Sequence, residues 1–138
     1  MRPVPVPDEQ SAPFWAAAAD GVLVIARCSR CAALAHPPDL VCPSCGSTDP
    51  AFRFEPVSGR GAVRSWTVVR RAFLPGFDDD VPFVLVDVAL DEQDDLRMIG
   101  RLVDGPDGPL RVGDRVTTTF ERLADDVAVP AFALDPTP

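Results

Sequence analysis

The 138-residue sequence contains no lysine, no asparagine and no tyrosine, and it has a single histidine. All 13 basic side chains are therefore arginines. The missing residues are those with A/T-rich codons, which indicates a G+C-rich genome, so the lack of lysine carries little functional weight. With one histidine, general acid–base chemistry would fall to isolated carboxylates, and no pattern singles one out. The sequence also lacks a nucleophile elbow, a phosphate-binding glycine loop and an H-E-x-x-H motif.

Long apolar runs are also missing. The longest one outside the alanines is VLVIA (22–26), far shorter than a membrane-spanning segment. The N-terminus, MRPVPVPDEQ, has one base and no apolar run, so it does not read as a signal peptide. We therefore expect a cytoplasmic protein, and in that reducing compartment four cysteines favour a metal site over disulfides.

Positive charge is scarce. The chain has 21 acidic and 13 basic side chains, a net charge of −8, and such a protein repels nucleic-acid phosphates. Residues 53–71 differ, because they hold five arginines and one glutamate, a local charge of +4. This segment is either an exposed strand face or a local anion site, large enough for a cofactor phosphate but not for a long duplex.

The four cysteines lie in RCSRCAALAHPPDLVCPSCGS (27–47), as Cys28, Cys31, Cys42 and Cys45. Two C-x2-C pairs separated by ten residues are typical of zinc ribbons, in which facing knuckles supply four thiolates to one tetrahedral ion. Gly46 follows the second pair, where a left-handed residue is useful. A catalytic zinc keeps one position open, so four thiolates predict structural Zn2+. His36 is expected to be a surface loop residue rather than a ligand.

The remaining pattern predicts a mainly β protein. Residues 1–10 are proline-rich and expected to be extended until something docks them. SAPFWAAAADG (11–21) predicts a short helix capped by Ser11, with Phe14, Trp15 and Ala18 on one side. That side packs either on its own domain or on a partner. Strands are predicted on both sides of the cysteines, at VLVIAR (22–27) and FRFEPV (52–57).

Five β-rich runs follow, separated by turn signals, at 61–72, 82–91, 96–103, 114–123 and 127–134. Five strands without an intervening helix predict a small five-stranded OB-fold barrel. The segment DGPDGPLRVG after the third run is too short and too rich in Gly and Pro for the helix that often follows there. We expect an N-terminal extension and helix (1–21), a zinc ribbon (22–57) and the OB-fold barrel (58–138).

At this point the chain resembles a known family, the bacterial and archaeal zinc-ribbon/OB-fold proteins that accompany acyl-CoA enzymes. The resemblance runs from Phe14 to Leu134. It is carried by the Phe14–Trp15 pair, the ribbon from Cys28 to Gly46, VSGRGAVRSWTVV (57–69), PGFDDDVPF (75–83) and VGDRV (112–116). The ribbon alone is generic, whereas the ribbon followed by VSGRG and the PGF loop is specific.

The resemblance implies a non-catalytic subunit that binds a thiolase-like enzyme (an aldolase or acyltransferase, with steroid or lipid metabolism as one setting) or a hot-dog-fold enoyl-CoA hydratase. Such a subunit completes or gates the acyl-CoA site. The candidate acyl-CoA contacts are Arg70, Arg71, Phe73 and Phe77, although core packing is an equal alternative for the phenylalanines. Phe14 and Trp15 are the candidate partner contacts. The family often has Arg after the Pro-Pro pair, where this chain has Asp39. The alternative function is a nucleic-acid-binding ribbon/OB module, which the charge disfavours.

Overall fold

The computed structural model describes residues 2–136, and within that range it contains one helix and eight strands. The elements are α1 (Ala12–Ala19), β1 (Val24–Arg27), β2 (Leu34–Ala35), β3 (Arg53–Pro56), β4 (Arg60–Val69), β5 (Phe83–Leu90), β6 (Arg97–Leu102), β7 (Arg115–Ala124) and β8 (Val127–Leu134). This confirms the predicted fold class of an N-terminal helix, a four-cysteine ribbon and a five-stranded barrel. The described residues include no helix with the length and apolar character needed to span a membrane.

The ribbon is a three-stranded antiparallel sheet in the order β2-β1-β3. Its central strand is short and β-branched, and Ile25 is fully buried. The cysteine loops lie at the ends of these strands, because β1 ends one residue before Cys28. The sheet thus holds the first cysteine pair, Cys28 and Cys31, at the end of its central strand.

The barrel is closed in the order β4-β5-β6-β8-β7. Residues on β5 alternate strictly, with Val84, Val86, Val88 and Leu90 buried inside the barrel. Each such side chain contributes roughly 1.5–3 kcal/mol by leaving water. The second glycine of VSGRG, Gly61, lies so close to β5 that a Cβ would be 2.5 Å from the Ala89 carbonyl oxygen. That contact explains why this motif carries no side chain there.

One continuous core joins helix, ribbon and barrel. Phe14 from α1, and Leu23, Ile25 and Leu34 from the ribbon, pack in the same buried cluster as the barrel residues. The helix therefore packs on its own chain, the first of the two alternatives. The three-part division at residues 21 and 57 stays a prediction.

The helix begins differently from the prediction. The Ser11 side chain makes no capping bond to the helix. Instead, the Asp8 carboxylate accepts the Ser11 amide (2.7 Å) and the Ser11 hydroxyl accepts the Asp8 amide (3.1 Å). Hydrogen bonds from the Ser11 side chain and the Ser11 amide lower the pKa of the Asp8 carboxyl. The reciprocal capping contact thus lies one turn earlier, because Asp8 and Ser11 each accept the backbone amide of the other.

Candidate metal centre and barrel loop

The four cysteine sulfurs form one cluster. All four Sγ atoms lie within 4.8 Å of one another. The Cys28 and Cys45 sulfurs are 3.9 Å apart, and those of Cys31 and Cys42 are 3.7 Å apart. Ligands about 2.3 Å from a tetrahedral zinc are roughly 3.8 Å from one another, so the donor set fits zinc. The predicted metal site is confirmed as a zinc-binding cluster, and its filled shell makes the ion structural.

The two knuckles share one backbone conformation. The amide of Ala32 donates to the Cys28 carbonyl, and the amide of Gly46 donates to the Cys42 carbonyl, both at 2.9 Å. Ala32 has φ 66° and Gly46 has φ 74°, so both occupy the left-handed region. We predicted this conformation for Gly46 but missed its equivalent, Ala32. The signal was present, since both residues follow their C-x2-C pair immediately.

The thiols differ in acidity when no metal neutralises them. The backbone amides of Cys45 and Ser44 lower the pKa of Cys42 to about 7. For Cys31 the amide of Ala33 acts in the same direction, but desolvation and the neighbouring sulfurs outweigh it and raise the pKa to about 11. Four crowded sulfurs therefore need a cation before all are thiolates, and zinc binding must release protons.

His36 lies outside the sulfur cluster, as predicted, but it is not a free surface residue. Its ring centroid is 5.2 Å from that of Phe14, and the side chain is half-buried. Burial lowers the pKa of His36. The histidine therefore links the cysteine loop to helix α1 through an aromatic contact, which the sequence pattern did not reveal.

A side-chain clamp joins the ribbon to the barrel. Gln93, in the turn between β5 and β6, accepts the Leu34 amide through Oε1 (2.9 Å) and donates through Nε2 to the Leu34 carbonyl (2.8 Å). Its primary amide thus pairs with the edge strand β2 as another strand would. Beside it, the Glu92 carboxylate accepts the Ser58 amide at 2.8 Å. These bonds fix the angle between the metal centre and the barrel.

The loop joining β4 and β5 (70–82, the barrel loop) carries all four candidate acyl-CoA residues. Arg70 and Arg71 are exposed, and among residues 2–136 no carboxylate forms an ion pair with them. Phe73 is 85% exposed and Leu74 is 57% exposed. Core packing is therefore excluded for Phe73. Two adjacent apolar side chains beside two unpaired arginines form a surface suited to a ligand or partner.

Phe77 lies in a different setting from the other three candidates. It is half-buried, its ring centroid is 6.0 Å from that of Phe83, and the Arg2 guanidinium lies over it at 4.9 Å. It lines a cavity of about 410 Å³ between the barrel and the N-terminal residues. A direct acyl-CoA contact for Phe77 stays a prediction.

The two candidate partner contacts, Phe14 and Trp15, also differ in how much of their surface is exposed. Phe14 is only 7% exposed and belongs to the chain's own core, whereas Trp15 is half-buried at the edge of that core. Of the pair, Trp15 alone offers a partner appreciable surface. Asp39 is exposed, and its carboxylate accepts the amide of Leu40 at 2.7 Å. It therefore shapes its own loop and places no positive charge there.

Two family models match the chain, and together they cover most of it. Residues 15–51 match the rubredoxin-like zinc ribbon domain of ChsH2, and residues 54–121 match the ChsH2 C-terminal OB-fold domain. The N-terminal residues and strand β8 lie outside both matches. The family models therefore describe the metal centre and the barrel loop, but not the segment that covers Phe77.

Three individual proteins are similar to the chain. A solved structure of the Ltp2-ChsH2(DUF35) aldolase matches with a TM-score of 0.80 and 30% identity, covering 94% of this chain and 98% of that one. The "Probable enoyl-CoA hydratase alpha subunit" of Thermomonospora curvata is 31% identical over 132 residues, which are 96% of this chain but 40% of the relative. The DUF35 domain-containing scaffold protein of Methanocaldococcus jannaschii is 29% identical over 104 residues, 75% of this chain and 71% of that protein.

Proposed function

Because this chain belongs to the ChsH2 family of zinc-ribbon and OB-fold proteins, we propose that it is a non-catalytic accessory subunit of an enzyme that acts on acyl-CoA. The observation that carries the proposal is the match, over nearly the full length of both chains, to a component of the Ltp2-ChsH2(DUF35) aldolase. The hydratase subunit and the scaffold protein support the same class of role. The partner is a thiolase-like aldolase or acyltransferase, or a hot-dog-fold enoyl-CoA hydratase.

The non-catalytic part of the proposal rests on the chemistry of the described residues. Four thiolates complete the zinc shell and leave no position for water or substrate. Several carboxylates are already paired with arginines, as Asp91 is with Arg115 and Asp87 with Arg64. The reacting groups therefore belong to the partner, and this chain contributes shape and charge.

The barrel loop is the proposed contribution to the acyl-CoA site. Arg70 and Arg71 would meet the CoA phosphates, because a guanidinium binds phosphate oxygens in a planar, bidentate manner. Phe73 would pack on the pantetheine arm or the acyl chain. The rigid zinc ribbon and Trp15 would dock the partner, so that the loop faces the partner's active-site entrance. The loop alone would thus supply only part of the acyl-CoA site, and the partner would supply the rest.

Co-expression with a thiolase-like protein of the same organism tests the accessory role. We expect a complex that survives size-exclusion chromatography at micromolar concentration and has a higher kcat/KM than the partner alone. If the two proteins elute separately and the partner is already fully active, the accessory role is wrong.

Substitutions then test the loop inside that complex. Hydrogen bonds to charged groups are worth roughly 1.5–3 kcal/mol, so Arg71→Ala or Arg70→Ala should raise KM for acyl-CoA about 10- to 100-fold. Arg97→Ala is the matched control, because Arg97 is also exposed and forms no ion pair among the described residues. Equal KM values in the variants and the control would refute the phosphate role and leave the accessory role intact.

A further inference from the structure

A groove on the outside of the barrel is covered by the chain's own N-terminus. Residues 2–7, the N-terminal arm, cross the outward face of the sheet, and residues 2–5 line the cavity of about 410 Å³. The barrel side of this groove is lined mainly by apolar side chains, including Phe77, Phe83, Leu85, Leu123 and Val129. Further along, Pro5 and Pro7 line a second cavity with Trp15 of helix α1.

Arg2 holds the beginning of the arm. Its guanidinium forms ion pairs with Asp80 and Glu121, and its Nε donates to the Gly76 carbonyl at 3.2 Å. The same guanidinium lies over the Phe77 ring. Asp80 also faces Arg101, whose guanidinium lies over Phe83. With the arm removed, two carboxylates would face one arginine, so the empty groove favours a cationic group at this end.

The backbone of the barrel loop is adapted to the arm. Gly76 has φ 86°, and a Cβ on it would lie 2.4 Å from the Arg2 backbone nitrogen. This contact joins the PGF motif to a segment 74 residues away. A glycine here lets the arm approach as closely as the guanidinium contacts require.

The arm itself has the chemistry of an extended proline-rich ligand. Its sequence is RPVPVP, with proline at every second position, and it forms no helix or strand. Proline fixes φ and removes a backbone donor, so such segments bind through side chains and shape, with little conformational entropy to lose. Aromatic-lined grooves are the usual receptors for such segments.

We propose that this outer face of the barrel is a recognition site for an extended arginine–proline segment, and that residues 2–7 of the same chain are its ligand. Arg2 occupies the acidic end at Asp80 and Glu121, and Pro3 and Pro5 line the same cavity as Phe77 and Phe83. The arm is thus a ligand bound in cis, and its release exposes Phe77. The inference goes beyond the proposed function and needs no partner enzyme.

The short connection between the arm and helix α1 sets a lower limit on how tightly the free arm peptide must bind the groove. A short tether gives an effective concentration in the millimolar range. An arm that is bound most of the time must therefore bind in trans with a dissociation constant below roughly 1 mM. Because the anchoring contacts are ionic and partly exposed, the affinity must also fall as salt is added.

The test uses the full chain with Arg2→Glu, which places like charges at the acidic end and opens the arm. The amide resonances of Gly76 and Phe77 in a 15N-labelled sample report the groove. We expect them to move on substitution and to return towards the wild-type positions when a synthetic peptide of residues 2–8 is added. The same peptide with Arg2→Glu should have no effect. If Arg2→Glu leaves these resonances unchanged, or both peptides act alike, the inference is overturned.

Two glycine-to-alanine substitutions distinguish the close contact between the arm and Gly76 from the general effect of backbone strain. Gly76→Ala and Gly105→Ala both place alanine at a positive φ (86° and 83°), but nothing lies within 4 Å of a Cβ at Gly105. Both should lower the melting temperature, while only Gly76→Ala should shift the amide resonance of Arg2. Indistinguishable spectra around Arg2 in the two variants would contradict the close seating on which the proposal depends.

Discussion

The Gln93 clamp gives the sharpest prediction about stability. Replacing Gln93 with alanine removes both hydrogen bonds to Leu34 and the bond from Nε2 to the Asp95 carboxylate. Leu34 is 4% exposed, so water cannot readily replace the lost partners. The substitution leaves the zinc ligands and the barrel core unchanged, so its effect isolates the joint between ribbon and barrel.

The expected magnitude follows from the two orphaned backbone groups. A buried donor or acceptor without a partner costs roughly 1–3 kcal/mol, and the two groups on Leu34 share one site, so we expect a combined loss of about 2–4 kcal/mol. For a chain of this length each kcal/mol lowers the melting temperature by about 3 °C. The predicted decrease is therefore roughly 6–12 °C. The Asp95 bond is exposed and adds little.

Two measurements check this prediction on the zinc-loaded protein. Thermal unfolding gives the total loss, and amide hydrogen exchange at Leu34 gives the local one, since that amide has Gln93 as its partner. Gln10→Ala is the control, because Gln10 is an exposed glutamine whose side chain forms no hydrogen bond among the described residues, and surface substitutions usually stay within about 0.5 kcal/mol. If Gln93→Ala melts like Gln10→Ala and Leu34 exchange is unchanged, the clamp does not hold the two lobes.

Three further predictions concern the metal centre and pH. Ala32→Gly should stabilise the zinc-loaded ribbon by about 0.5–1 kcal/mol, because alanine is strained in the left-handed backbone conformation, and Gly46→Ala should destabilise it by a similar amount. Urea unfolding measures both changes in the free energy of unfolding. Changes of the same sign and size would contradict the shared knuckle conformation. Metal analysis should give about one zinc per chain, and chelation should unfold residues 22–57 first, since zinc supplies roughly 10–16 kcal/mol to such sites; a metal-free chain with native circular dichroism would disprove this. The hydrogen bond and charge of Arg115 lower the pKa of Asp91, so this pair stabilises the fold fully above the ordinary aspartate pKa of about 3.9 and is lost as the pH falls through the lowered value. Asp91→Asn should flatten the acid slope of stability, and Asp79→Asn should not, because Asp79 is exposed and forms no ion pair within residues 2–136.

The features that the sequence predicted correctly are those with local causes. The zinc site follows from spacing within single knuckles, and the β5 strand follows from alternation of apolar residues over eight positions. The strand β8 was predicted at its observed bounds because turn residues flank it. In each case the residues that determine the structure are neighbours in the chain, so a pattern exposes them.

The features that were missed depend on residues far apart in the chain. Arg2 meets Glu121 across 119 positions, and Gln93 meets Leu34 across 59. A glutamine in a polar turn or an arginine in a proline-rich terminus looks the same whether or not it has a partner. His36 was misjudged for the same reason, since its burial depends on where helix α1 packs.

These long-range contacts have one structural consequence for function. Gln93 fixes the ribbon, and with it the zinc centre, to one end of the barrel, whereas the barrel loop has a free half and a covered half. The free half carries Arg70, Arg71 and Phe73, and the covered half holds the arm through Gly76 and Phe77. A ligand on the free half, as proposed, and the arm on the covered half would both contact the same 13-residue connection. If so, Arg2→Glu should also change the acyl-CoA KM of the proposed complex, whereas Gly105→Ala, far from both halves in sequence, should not.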